Sequence, residues 1–148
     1  MHREAQWCTI VHMTSRQYLR GFRNLRAWKE SHALAVDLYK RTTDFPKEDR
    51  YGLTDQIRRA ACSVSSLIAE GACMRTPAHQ CSYYLRAHGS LSEVDNHIEF
   101  AHALGRVTDV EYQQFLSRIN YIAGLVLGLV KSTQSSLPQN LRTSILQN

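Results

Sequence analysis

The sequence predicts an all-α protein, an antiparallel up-and-down four-helix bundle. Three observations lead there. Apolar residues recur at steps of three and four along four long stretches, the period of a helix with one buried face. Short polar connections, marked by Phe45-Pro46, Thr76-Pro77 and Gly105, join the stretches, and short connections make consecutive helices antiparallel neighbours. A chain of 148 residues with 43% hydrophobic content has enough apolar matter for one core. The expected organisation is a polar tail over 1–22, the bundle over 23–133 and a second tail over 134–148.

Residues 1–22 lack sustained periodicity and end near Gly21. They carry Arg3, Arg16 and Arg20 but no uninterrupted apolar stretch followed by a small-residue cleavage site, so they make a poor signal peptide. The four cysteines fall at irregular spacings with no C-x-x-C unit, which points to reduced thiols in a cytoplasmic protein.

The first helix is expected to bury Leu25, Trp28, His32, Ala35 and Tyr39 and to stop at Phe45-Pro46, because proline restricts the residue before it. The second follows Leu53, Ile57, Ala61, Val64 and Ile68 to about Met74. Its Ala60, Ser63, Ser65, Ser66, Ala69 and Gly71 make a small-residue surface that suits close helix packing, as inside an assembly. Thr76 as N-cap with Pro77 behind it opens the third helix, whose stripe is Cys81, Tyr84, His88, Leu91, Val94, Ile98 and Ala101. Gly89 inside it costs about 1 kcal/mol relative to alanine, so close packing or a bend is expected there.

Thr108-x-x-Glu111 is a capping box that starts the fourth helix, with Tyr112, Phe115, Ile119, Ile122, Val126 and Leu129 as its stripe. Gly124 and Gly128 leave a groove for another helix, and fraying is expected from Ser132 onward. The mainly apolar run from Ile119 to Val130 is interrupted by Asn120, Gly124 and Gly128 and is shorter than the roughly 20 residues a membrane-spanning helix requires, so no membrane span is expected.

A bundle of this kind can host a dinuclear carboxylate site, which requires a Glu-x-x-His unit on each of two helices. Glu99-x-x-His102 is one such unit, but Glu70 and Glu111 have no histidine three residues on. His79-x-Cys81 with Cys73 nearby is a weak soft-metal pattern. There is no glycine-rich phosphate loop and no strand-to-helix nucleophile elbow. The expectation is a non-enzymatic protein with no metal and no cofactor. Glu70, an acid late in its helix, opposes the macrodipole and is expected in a structural salt bridge. Arg58 and Arg59 lie about 100° apart on their helix, so one faces solvent and the other a neighbour or an ion pair.

The net charge of +5 is unevenly spread: residues 1–60 hold 12 Lys/Arg against 7 Asp/Glu, and residues 61–148 hold 6 against 6. Arg23, Arg26 and Lys29 continue an acid-free stretch from Arg16, which reads as a dock for phosphate or for an acidic protein. With Arg58, Arg59 and Arg75 they are the candidate nucleic-acid contacts, although aromatic residues are not interleaved with them as in typical single-strand binders. A solvated basic face, a scaffold that docks an acidic partner, and a metal enzyme at Glu99 and His102 are the competing readings.

The ordered motifs Phe22-x-x-Leu25-x-x-Trp28, Phe45-Pro46, Tyr51-Gly52-Leu53-x-x-Gln56-x-Arg58-Arg59-Ala60, Ser63-x-x-x-x-Ile68-Ala69-Glu70-Gly71 and Gly89-Ser90-x-x-Glu93 carry a likeness to a known family. Over about residues 22–133 the chain resembles the four-helix bundle family named for proteins encoded in intervening sequences of bacterial 23S ribosomal RNA genes. It departs from the family pattern at Leu67, where asparagine is usual, and at Ala72-Cys73-Met74-Arg75. The resemblance implies a bacterial cytoplasmic protein and a homopentamer. It also implies kinship with accessory factors of diversity-generating retroelements, which bind a reverse transcriptase and RNA or DNA.

Overall fold

A computed structural model describes residues 21–137 and 139. Arg3, Arg16, Arg20, Cys8 and Pro138 lie outside the described residues, as does most of both expected tails. Among the described residues there are four α-helices: α1 (Arg26–Arg41), α2 (Leu53–Ala72), α3 (Pro77–Ala103) and α4 (Asp109–Ser135). Short 3-10 turns at Gly21–Asn24, Thr42–Asp44 and Lys47–Asp49 accompany them, and no strand occurs among the described residues. The end of the expected N-terminal tail is ordered onto the bundle, with Phe22 packed edge-on against Trp28 at 5.0 Å between ring centres.

Each helix packs on the next in sequence, and α1 also touches α4 more lightly. Across α1 and α4 the pairs are Arg41 with Glu111, Asp37 with Arg118 and Arg26 with Tyr121. Across α2 and α3 they are Ser63 with Ser90 and Gly71 with Tyr84; across α3 and α4, Glu99 with Tyr112. The core between the helices is built on Leu34, Leu38, Ile57, Val64, Ile68, Leu91, Val94, Ile98, Ile122 and Val126.

The expected stripes of α2 and α3 are the buried ones, apart from the half-buried Leu53 and His88. In α1 the stripe is rotated. Ala27, Ser31, Leu34, Ala35 and Leu38 are buried, whereas Trp28 is half-buried and His32 and Tyr39 are exposed. Ala27 and Ser31 are small enough for α1 to sit close to its neighbours, and the large amphipathic rings are left at the rim.

Helix α1 stops four residues before Phe45. The Thr42 hydroxyl donates to the carbonyls of Leu38 (2.8 Å) and Tyr39 (3.1 Å), which closes the last turn, and Phe45 is extended (φ −70, ψ 149) ahead of Pro46. Helix α3 ends in a paired motif around Gly105: Gly105 N–H donates to His102 at 2.8 Å and Arg106 N–H to Ala101 at 2.9 Å. This geometry needs the left-handed φ of +69 that Gly105 supplies. The capping box of α4 is complete, with Glu111 N–H on the Thr108 hydroxyl and Thr108 N–H on the Glu111 carboxylate at 2.9 Å.

Helix α4 continues past the expected fraying point to Ser135, with Thr133 and Leu137 buried. Its 27 residues are long and apolar enough to cross a membrane by length and composition. The interrupted run from Ile119 to Val130 had pointed the other way. In the fold that apolar character is divided: Phe115, Ile119, Ile122, Val126 and Val130 enter the core, while Tyr121 and Leu127 remain exposed beside Gly124 and Gly128.

A Cβ added at Gly124, Gly128 or Gly89 would meet nothing within 4 Å, so neither the groove on α4 nor the expected close approach at Gly89 is filled within the described chain. Gly71 is different: a Cβ there would lie 2.7 Å from Tyr84 Cε1 and 3.0 Å from Tyr83 Cβ.

Candidate nucleic-acid interface

The surface begins with three side chains. Arg23 sits in the Gly21–Asn24 turn, and Arg26 and Lys29 lie in the first turn of α1. All three are exposed, and none forms an ion pair among the described residues. The turn has no acid, and its N-cap, Leu25, offers no side-chain acceptor. A helix N-terminus carries the positive end of the macrodipole, so cations there oppose the helix's own field. Local stability does not account for this arrangement; an anion placed over it would be attracted both by the charges and by the uncapped N–H groups.

Aromatic rings lie among these cations, contrary to the expectation from the linear sequence. Trp28 stacks on His32 with ring centres 4.9 Å apart and planes 12° from parallel, and Phe22 meets Trp28 edge-on. The Arg26 guanidinium lies 5.4 Å from the ring centre of Tyr121 on α4, and that of Arg23 lies 6.0 Å from the ring centre of Phe22. The spacing of Trp28 and His32, one helical turn, was a readable signal for the stack. Tyr121 enters only through the fold.

The other three candidate cations lie on α2 and in the turn after it. Arg58 is half-buried and turned onto the end of α1. Its Nε donates to the Thr42 hydroxyl at 2.8 Å, its Nη2 donates to Tyr39 O at 3.1 Å, and its guanidinium lies 4.0 Å from the Tyr39 ring centre. Arg59 is exposed and 3.8 Å from Asp55. Arg58 faces a neighbour and Arg59 faces solvent, which is the division that 100° of separation requires. Arg75, in the turn between α2 and α3, is exposed and has no ion pair among the described residues. Arg23, Arg26 and Lys29 thus adjoin at the start of α1, whereas Arg58 is held at its other end.

This cluster lies within a matched segment: residues 23–128 match the family described as 23S rRNA-intervening sequence protein. The chain belongs to that family. The matched segment of this intervening-sequence protein family member includes all six candidate cations and runs from the Gly21–Asn24 turn to Gly128 on α4. No curated protein matches the chain.

The residues weighed for metal chemistry are used otherwise in this family member. Glu99 is exposed and accepts a hydrogen bond from the Tyr112 hydroxyl. His102 stacks on the Tyr112 ring at 4.4 Å, and its Nε2 lies 2.7 Å from Asp109 Oδ1. Both side chains sit against the outer side of α4 rather than in the core. Cys81 is buried, which pushes its thiol pKa up, while His79 is exposed. Among the described residues no group of three His, Cys, Asp or Glu side chains comes together as a metal site. The salt bridge expected at Glu70 is not formed among the described residues; its carboxylate is exposed to water, which screens the unfavourable dipole.

Proposed function

We propose that this chain is a non-enzymatic, cytoplasmic helical-bundle protein that assembles with copies of itself and binds RNA or DNA, alone or in a ribonucleoprotein. The observation that carries the reading is the unpaired basic turn of Arg23, Arg26 and Lys29, set among Phe22, Trp28, His32 and Tyr121. Cations follow a phosphate backbone and aromatic faces stack bases without regard to sequence, which together are what a single strand requires. Arg59 and Arg75 extend the positive surface.

The bundle is antiparallel and up-and-down in this reading, and the reversed order of the contact pairs between neighbouring helices supports it. Assembly is supported by the open glycine groove of α4 with exposed Tyr121 and Leu127 beside it. A ring of five, the assembly the resemblance implies, would carry +25 from five chains of +5 and attract polyanions by counterion release. Exposed Phe100 and Val110 favour a second reading, a scaffold that docks a protein such as a reverse transcriptase.

The test is mass-resolved size exclusion of nuclease-treated protein, alone and with short RNA and DNA, at about 50 and about 200 mM salt. Expected are a five-chain mass and complexes that weaken roughly 20-fold across that range for three single-strand phosphate contacts, with loss of the contacts in the triple variant R23Q/R26Q/K29Q. A monomer that binds neither polymer overturns the reading. Complexes that form only with an acidic protein and survive nuclease establish the scaffold instead.

A further inference from the structure

The connection from α1 to α2 borders a half-open cavity of about 240 Å³, apart from the basic turn described above. Its lining includes Lys47, Arg50 and Arg58 and three hydroxyl side chains, Thr42, Thr43 and Thr54. No carboxylate among the described residues lines it. We infer that this cavity is a binding site for a phosphate group, either inorganic phosphate or the terminal phosphomonoester of a nucleotide or nucleic-acid end.

Of the acids near the cavity, Asp44 is exposed and does not line it, and the others lie toward other cations. Asp49 and Glu48 share the 3-10 turn with Lys47, yet Asp49 binds Arg106 at 2.7 Å and Glu48 lies 3.9 Å from the same guanidinium. Asp55, in the first turn of α2, faces Arg59. Lys47 and Arg50 form no ion pair among the described residues, and Arg50 rests 5.7 Å from the ring centre of the exposed Tyr51. Three cations around one small cavity repel one another until an anion joins them.

A second, independent observation points to a ligand. Thr54 is only 4% exposed, and its hydroxyl is buried with no hydrogen-bond partner. A buried hydroxyl left unsatisfied is rare and costs stability, and such a group in a native fold calls for an explanation. Thr54 stands in the first turn of a 20-residue helix whose N-cap is Gly52, with no side chain to cap the orphan N–H groups. A buried hydroxyl without a partner, an uncapped helix start and three cations border one volume.

The site is also preorganised. Arg58 is fixed by the Thr42 and Thr43 hydroxyls, the Tyr39 carbonyl and the Tyr39 ring, so little rotamer freedom is lost when its remaining N–H groups engage a ligand. A tetrahedral group with three acceptor oxygens and close to two charges satisfies such a set better than a carboxylate. The cavity volume admits a phosphate and the first atoms attached to it.

The site does not depend on the polymer-binding surface. The test uses the full, nuclease-treated chain in calorimetric titrations at constant ionic strength with chloride as the background anion. The titrants are inorganic phosphate, a nucleoside 5′-monophosphate, and a short RNA with either a 5′-phosphate or a 5′-hydroxyl. Saturable binding of one phosphate per chain is expected, weakened about tenfold or more by Thr54→Val and by Arg50→Gln.

Thr54→Val keeps the shape and removes an unpartnered hydroxyl, so its melting temperature without phosphate should not fall, whereas the upward shift caused by phosphate should shrink. Arg23→Gln/Arg26→Gln should leave phosphate binding unchanged, which separates this site from the basic turn. Preference for the 5′-phosphorylated RNA assigns the occupant to a nucleic-acid end; tighter binding of inorganic phosphate assigns it to the free ion. No saturable binding of any phosphate, or binding indifferent to both Thr54→Val and Arg50→Gln, overturns the inference.

Discussion

Two regions hold the helices together by opposite means. Around Arg41 the contact is ionic: its Nε donates to Glu111 Oε1 at 2.6 Å, and its Nη2 donates to Glu111 Oε2 at 3.2 Å and to Arg106 O at 2.8 Å. Arg106 in turn reaches Asp49. Where α2 meets α3, the contact depends on a missing side chain, since Gly71 admits the Tyr84 ring and the Tyr83 Cβ, and Gln80 closes the corner by donating to Met74 O at 2.9 Å. The first region responds to pH and salt because its partners are charged and partly wet. The second responds to volume alone.

Gly71→Ala should show the largest effect, a loss of about 2 kcal/mol in thermal or denaturant unfolding, because the Tyr84 ring is buried and Tyr83 contributes a Cβ that cannot swing away. The loss should be the same at low and high salt; a loss that disappears in salt would show that the corner is not governed by packing.

Gly105→Ala should cost about 1 kcal/mol, since alanine resists the φ of +69 that ends α3 beside the ionic region. Unfolding unchanged by this substitution would mean that the paired hydrogen bonds at Gly105 do not constrain the connection.

The smallest and most diagnostic effect is acidic. Bonds from Arg41, then from Thr108 N–H, lower the Glu111 carboxyl from 4.5 to about 2. Its folded pKa is below its unfolded one, so the stability it adds is fully present above about pH 4.5 and is lost as pH falls toward 2. Glu111→Gln should flatten that part of the pH–stability profile and remove roughly 0.5 to 1 kcal/mol near neutrality. An acid limb identical to that of the parent chain would place the titration elsewhere.

Much of this fold was legible wherever one residue decides the local structure. Thr76-Pro77, the Thr108 capping box and Gly105 act within a turn of themselves, so spacing alone placed three helix boundaries. The stripe of α2 was legible because Ile57, Val64 and Ile68 are large and unambiguous. That of α1 was not, because Ala27 and Ser31 take the core by being small while Trp28 and Tyr39 stay at the rim. At the candidate surface, the basic turn was plain in the sequence. The Tyr121 ring beneath Arg26 and the Thr42 hydroxyl that binds Arg58 are tertiary neighbours, and hydropathy does not report them. The same holds for the Lys47 and Arg50 cavity, to which α2 brings Arg58 and beside which Asp49 is paired with Arg106.

Arg106 has a mechanical consequence. Its carbonyl anchors Arg41 and its guanidinium anchors Asp49, so one residue just after Gly105 fastens the α3–α4 connection to the segment between α1 and α2. Neither connection can lift from the body of the protein without releasing the other. In the hierarchy of local openings that amide exchange resolves, the two loops therefore behave as a single cooperative unit, separate in sequence but sharing one opening free energy.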